Sequence, residues 1–232
     1  AGAGSVGRAP GRGPPDVGGA RMPGDHGLVL CPAFVVQDQE GCTLLLKGDI
    51  TRHPQDGVIY VVNQKGHQTV MSAIMSEAVL EEAGVFLESS LGVAIAFLDT
   101  AEALVARGAL APGAGGDRPD GRSVAICRPP RGDKLKDSNF PDDCVWAVMS
   151  VQHVGHYVVR GPDDQVIAVL RTSGGTIRNT NVLDGRGALL ATARVDKSTQ
   201  RDLVTVQIAR GVDASMVITL LISFTKLLPL DA

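Results

Sequence analysis

Aromatic side chains make up only 3% of this chain of 232 residues, and so small a number supplies few platforms on which unpaired bases could stack. Charge of one sign is lacking as well. A formal net charge of -3 gives no overall attraction to a polyanion, so nucleic acid is not an expected partner. The four cysteines, Cys31, Cys42, Cys127 and Cys144, contain no Cys-x-x-Cys pair, and a chain of this length needs no covalent staples. They read as reduced thiols. The longest strongly apolar run, Met216 to Leu228, is interrupted by Thr219, Ser223, Thr225 and Lys226 and falls short of the roughly 20 residues of a spanning helix. No transmembrane span is expected. The chain opens on Ala1 with no apolar signal region behind it. The expected setting is intracellular, either the cytoplasm or a plastid or mitochondrion reached with a targeting peptide since removed.

Catalytic signatures are missing too. There is no Gly-x-Ser-x-Gly elbow to raise a nucleophilic serine, and no glycine-rich loop leads into a helix to cradle phosphate. Arg160-Gly161-Pro162-Asp163 and Ser173-Gly174-Gly175-Thr176 read as turns. His153 and His156 are the only histidines close in sequence. On one β-strand, positions three apart face opposite sides, whereas metal ligands must converge, so no metal site is expected. His26, His53 and His67 fall in turns or loops. Arg131-Gly132-Asp133 matches an integrin-binding tripeptide, but three residues recur too readily by chance to count. The acid pairs Asp142-Asp143 and Asp163-Asp164 read as solvated turn residues. The expectation is a protein that is not an enzyme and holds no cofactor.

What is present is the composition of a protein that builds a core, 44% apolar and 20% charged, and one domain is the default at this length. Residues 1–27 stand apart. They hold nine glycines and four prolines with almost no large apolar side chain, too little to offset the entropy of ordering. They are expected to form a flexible Gly/Pro-rich arm, with residues 28–232 as the single domain. A second weak stretch, rich in Gly, Pro and Asp from Ala109 to Arg122, reads as a long surface loop, and with the residues that follow as an insertion near 109–136.

Elsewhere one theme recurs, a β-branched or leucine-rich run, a turn containing Gly or Asp, and a second such run. Residues 34–46, 60–71, 157–170 and 181–193 read as four hairpins and Val85 to Leu98 as a fifth turning near Ser89-Ser90-Leu91-Gly92. Ser76 to Ala83 suits a short helical turn and Asp99 to Arg107 a short helix with an acidic start and a basic end. Successive hairpins at this spacing make a meandering antiparallel sheet, and closing it removes its edges.

Near the end of the chain Leu203-Val204-Thr205-Val206-Gln207-Ile208 alternates as a half-buried strand. Gly211-Val212-Asp213 then turns the chain, with Asp213 placed to cap a helix from about Ala214 to Leu228 that Pro229 stops. Met216, Val217, Ile218, Leu220, Leu221, Ile222, Phe224, Leu227 and Leu228 surround most of that helix. A helix apolar nearly all round must be enclosed, and at about 1.5 Å per residue it is roughly 22 Å long, a match to the bore of a barrel. Trp146, in Val145-Trp146-Ala147-Val148, reads as a core anchor.

The strand, the turn Ala209-Arg210-Gly211-Val212-Asp213 and the apolar helix Ala214 to Ile222 resemble the closing strand and central helix of LURP-one-related proteins and phospholipid scramblases, the tubby-like superfamily. Phe34-Val35-Val36-Gln37-Asp38-Gln39-Glu40-Gly41 before Leu44-Leu45-Leu46-Lys47-Gly48 is similar to the opening hairpin of that group, and Val182 to Thr192 resembles a further instance of its turn. The resemblance covers roughly residues 30 to 228. It implies a mainly β fold, a closed antiparallel barrel of about twelve strands around a buried C-terminal α-helix. It implies fold more than activity, because the cysteine-rich lipid-modified stretches of scramblases are absent and the phosphoinositide-binding basic positions of tubby proteins have no counterpart that can be placed.

One charge feature rises above background. Arg107, Arg118, Arg122, Arg128, Arg131, Lys134 and Lys136 stand against Asp117, Asp120 and Asp133, a surplus of four positive charges in a near-neutral chain. Each basic residue near an anionic membrane contributes about 1 kcal/mol, so Arg118, Arg122, Arg128, Arg131, Lys134 and Lys136 are the candidate contacts for an anionic lipid surface or a protein partner. The expected function is a non-catalytic binding or scaffolding protein, peripheral to a membrane through this basic loop. The alternative is an accessory structural subunit of a large, organellar membrane complex with the arm lying on its partners.

Overall fold

The computed structural model describes residues 29–48, 57–65, 67–75, 84–106, 110, 123–129, 144–173, 177, 179–196 and 203–227. The strands are β1 (Cys42–Lys47), β2 (Gly57–Asn63), β3 (Thr69–Met75), β4 (Val85–Ser89), β5 (Ala94–Thr100), β6 (Ser123–Cys127), β7 (Val145–His153), β8 (His156–Arg160), β9 (Val166–Thr172), β10 (Asn179–Asp184), β11 (Leu189–Asp196) and β12 (Leu203–Ile208). Among the described residues two α-helices accompany them, α1 (Ala101–Ala106) and α2 (Ala214–Leu227). Each strand pairs antiparallel with its sequence neighbours, and β12 returns to β1 with Cys42 opposite Ile208 and Leu46 opposite Val204. The sheet is therefore a closed barrel of twelve strands with no free edge.

Alternation decides which side chains fill the bore. On β1, Leu44 and Leu46 face inward, and on β2 Ile59 and Val61 do. On β3 and β4, Met71, Ala73, Val85 and Leu87 follow the same period of two. Through this ring runs α2, on which Val217, Ile218, Leu220, Leu221, Ile222 and Phe224 are fully buried. The ring of Phe224 meets Tyr157 edge-on at 4.7 Å between centroids. Burial pushes the Tyr157 hydroxyl above its ordinary pKa.

A helix so enclosed must also satisfy its polar side chains. Ser215, Thr219 and Ser223 are completely buried, and each hydroxyl has a local partner. Thr219 Oγ1 donates to the Ser215 carbonyl at 2.7 Å, Ser223 Oγ to the Thr219 carbonyl at 2.8 Å, and Ser215 Oγ to Asp213 at 2.6 Å. These bonds explain how hydroxyls sit inside an apolar bore without an unmet donor. Among the described residues no helix is long and apolar enough to cross a membrane.

Outside the barrel α1 lays Ala101 and Leu104 over Ala125, Cys127, Cys144 and Val148 of β6, β7 and the residue before β7, forming a small second core. Trp146 faces the other way, into the main core. The four cysteines are free thiols.

Four of the five expected hairpins are present, β2–β3, β4–β5, β8–β9 and β10–β11. The first is not. Residues 34–46 do not form a hairpin, because Pro32–Phe34 is a turn of 3-10 helix and the residues after it pair with the approach to α2 instead of with β1. Val36 N–H donates to the Val212 carbonyl at 2.9 Å and Gly211 N–H to the Val36 carbonyl at 2.8 Å. A second correction concerns the insertion near 109–136. It is not one loop, since β6 lies within it and is a barrel strand paired to β5 and β7. Val124 to Cys127 formed an apolar run that signalled this strand. The expected helical turn at Ser76 to Ala83 lies outside the described residues.

Candidate functional site

Antiparallel strands put successive connections at alternate ends of the barrel. At one end lie the start of β1, the β2–β3, β4–β5, β6–β7, β8–β9 and β10–β11 connections, and the passage from β12 into α2. This entry end is organised around one carboxylate. Asp213 is 1% exposed, and its Oδ1 accepts N–H groups of Ser215 at 2.8 Å and Met216 at 3.3 Å, as a helix cap does. Its Oδ2 accepts the backbone N–H groups of Leu30 and Cys31, each at 2.7 Å. A single side chain thus caps the buried helix and holds the chain where it approaches the barrel, across a sequence separation of 183 residues. The cap role of Asp213 was readable from the sequence. Its second set of partners was not, since nothing local marks Leu30 and Cys31.

Arg128 extends the same cluster. Its backbone N–H donates to the Cys144 carbonyl at 2.7 Å, which closes the neck of the β6–β7 connection. Its guanidinium Nη2 donates to the Val29 carbonyl at 2.9 Å. The residues that precede Val29 and those that follow Pro129 are therefore joined to the barrel at neighbouring points on the entry end. Residues 1–28, which include the expected arm, lie outside the described residues.

The six candidate contact residues do not share one attachment. Arg118 and Arg122 belong to the connection that enters β6 at Ser123, whereas Arg131, Lys134 and Lys136 belong to the connection that leaves β6 after Cys127. At about 3.4 Å per residue, β6 holds these two attachment points roughly 14 Å apart, toward opposite ends of the barrel. Of the six, Arg128 alone lies within the described residues. The contiguous basic stretch of the sequence is thus two basic segments in the fold.

The opposite end holds a different arrangement. His153 ends β7 and His156 begins β8, so the two are not three apart on one strand but lie directly opposite each other across the Val154–Gly155 turn. Their rings meet edge-to-face with centroids 4.7 Å apart. The sequence argument that they diverge is overturned by that turn. Arg171 of β9 is opposite His156 on its other side. Partial burial lowers the His156 pKa from its ordinary value, and the nearby His153 and Arg171 lower it further.

The turn between them is constrained. Gly155 has φ of +81°, and a Cβ there would lie 2.7 Å from the Thr172 carbonyl oxygen. Thr172 N–H in turn donates to the Gly155 carbonyl at 2.8 Å, fixing the hairpin to β9. Among the described residues no group of three or more His, Cys, Asp or Glu comes together.

No protein-family model and no curated protein matches the chain. Its structure is similar to the crystal structure of a protein from Arabidopsis thaliana, with a TM-score of 0.54 over 84% of this chain and 95% of that one, at 12% sequence identity. At that identity the likeness is one of fold, a shared barrel rather than a shared activity.

Proposed function

We propose that this protein is a non-catalytic binding or scaffolding domain of the tubby-like, LURP-one-related kind, and that it engages its partner at the entry end of the barrel. The observation that carries this reading is the convergence of Asp213, Val29 and Arg128. Val29 and Arg128, which are hydrogen-bonded to each other, adjoin in sequence two segments whose compositions suit them to contact rather than to folding, the Gly/Pro-rich N-terminus and the basic 130–136 stretch. A bore filled by α2 leaves the barrel interior to packing, so recognition falls to its ends and outer surface. The partner is a protein or an anionic lipid surface, and the basic segment supplies the charge for either.

The division of the basic residues by β6 makes the reading testable. Exchanging Arg131, Lys134 and Lys136 for Gln, with Arg128 kept because it bonds Val29, should weaken binding to purified partner or to vesicles containing anionic lipid and flatten its salt dependence. Exchanging Arg118 and Arg122, which attach at the other end of β6, should change it far less. Equal losses from the two sets, or none from the first, would remove the assignment to the entry end.

The anchoring of Leu30 and Cys31 also favours a second reading, an accessory subunit of a larger assembly. An arm rooted at a fixed point can be laid along a neighbour at less entropic cost than one on a loose root. Size-exclusion of the native protein from its source distinguishes the two, elution as a free protein against co-migration with a large complex.

A further inference from the structure

The imidazole pair at the far end of the barrel belongs to no part of the binding reading above. Its backbone is held by strand pairing and by the turn. The two residues are directly opposite on paired strands, where Cβ atoms lie about 4.5–5.5 Å apart. The turn joining them is short and bonded to β9. His153 is exposed and His156 is half-buried, so the pair is open to solvent along one side.

We propose that His153 and His156 form a two-imidazole chelate for a divalent transition metal of the zinc, copper or nickel type. Imidazole nitrogen is a preferred donor for these ions, with metal–nitrogen distances of about 2.0–2.1 Å for zinc. The edge-to-face rings, 4.7 Å apart, do not yet aim both nitrogens at one point. Rotation about the terminal torsion of each side chain, which is broad and soft, re-aims the ring nitrogens without moving the backbone. Two cross-strand nitrogens occupy two positions of the coordination shell. The rest are left to water or to donors from another molecule, because no third ligating side chain joins the pair among the described residues.

Arg171 acts in two directions. Its charge disfavours a proton on His156, but it also repels a dication. The site is therefore of moderate affinity, suited to an exchangeable ion or to bridging between molecules.

Isothermal titration of the full chain with zinc chloride at pH 7.5, with the copper(II) complex followed by electron paramagnetic resonance, tests the assignment. One ion per chain and a copper spectrum with two equatorial nitrogens are expected. His153→Gln and His156→Gln should each weaken binding more than the roughly 10- to 100-fold that loss of an outer hydrogen-bond partner costs a metal site, while His67→Gln should leave it unchanged. Because His156 is half-buried, a second measurement uses the unaltered chain. Zinc should protect His153 and His156 together from diethyl pyrocarbonate, as located by peptide mapping. No binding by the full chain, undiminished binding by either variant, or modification of the two histidines at the same rate with and without zinc would overturn the proposal.

Discussion

The two ends of this barrel hold the same twelve strands in different ways. At the entry end a buried carboxylate, a guanidinium and a pair of backbone hydrogen bonds draw together residues from four places in the chain, around 29, 36, 128 and 213. At the far end the β7–β8 turn is held locally, by the pairing of His153 with His156 and one bond from Thr172 of β9, and its tip residue Val154 is 83% exposed. The contrast teaches where each kind of change is tolerated. Long-range hydrogen bonds to a buried group are costly to break because each lost partner leaves another polar group unmet. A solvent-facing turn has no such dependants, and it is there that a pair of titratable side chains is displayed.

The largest expected effect lies between the ends, on the helix that joins them. Leu220→Asp places an unpaired charge in the fully buried bore, at a cost of several kcal/mol that approaches the whole stability of a domain. The variant should fail to fold, seen as loss of soluble protein or of a cooperative melt. A soluble product melting within a few degrees of the parent would show that α2 is not enclosed.

Next comes Asp213→Ala. It removes a helix cap and leaves the N–H groups of Leu30 and Cys31 without their acceptor, which together cost about 3–5 kcal/mol. For a chain of this size that lowers the thermal midpoint by roughly 6–20 °C. The same variant should raise hydrogen exchange at Leu30 and Cys31 but not at Gly155 or Thr172. Equal exposure at both ends would break the comparison.

Two glycine substitutions sharpen it with smaller effects. Gly155→Ala meets both a positive φ and the Thr172 carbonyl at 2.7 Å, while Gly187→Ala meets a φ of +88° with nothing within 4 Å of the new Cβ. The first should cost about 1–3 kcal/mol and the second about 1 kcal/mol, measured by urea unfolding. The order of the two is the test.

The smallest effect is a dependence on pH. His156 has a folded pKa below its unfolded value, so its contribution is complete above the ordinary histidine range and is lost as pH falls through the lowered folded pKa. A slight fall in melting temperature as pH drops below the ordinary histidine range is expected in the parent and absent in His156→Gln.

Much of the barrel was legible because its signals are local. The alternation at Leu203–Ile208, the turn glycines and the all-round apolar surface of Ala214–Leu227 each carry their own explanation, and Asp213 announced itself as a cap by preceding that helix. What escaped was set by distant partners. Phe34 to Val36 has the composition of a strand but bonds to residues 211–213. β6 is only five residues long and sits between two stretches of weak pattern, so its apolar run is too short to stand out from a loop. The histidine pair is hidden in the sequence because Val154–Gly155 is a short turn between two valine-rich runs, which read together as a single strand where the chain reverses.

The measurement that reaches furthest compares the full chain with one starting at Leu28, which keeps the Asp213 bonds to Leu30 and Cys31 intact. Removal of 27 residues rich in glycine and proline should leave the thermal midpoint of the isolated protein almost unchanged. If the entry end presents that arm to a partner, co-purification from the native source should be lost at the same time. Normal assembly by the truncated chain would contradict the account and leave the arm without a part in recognition.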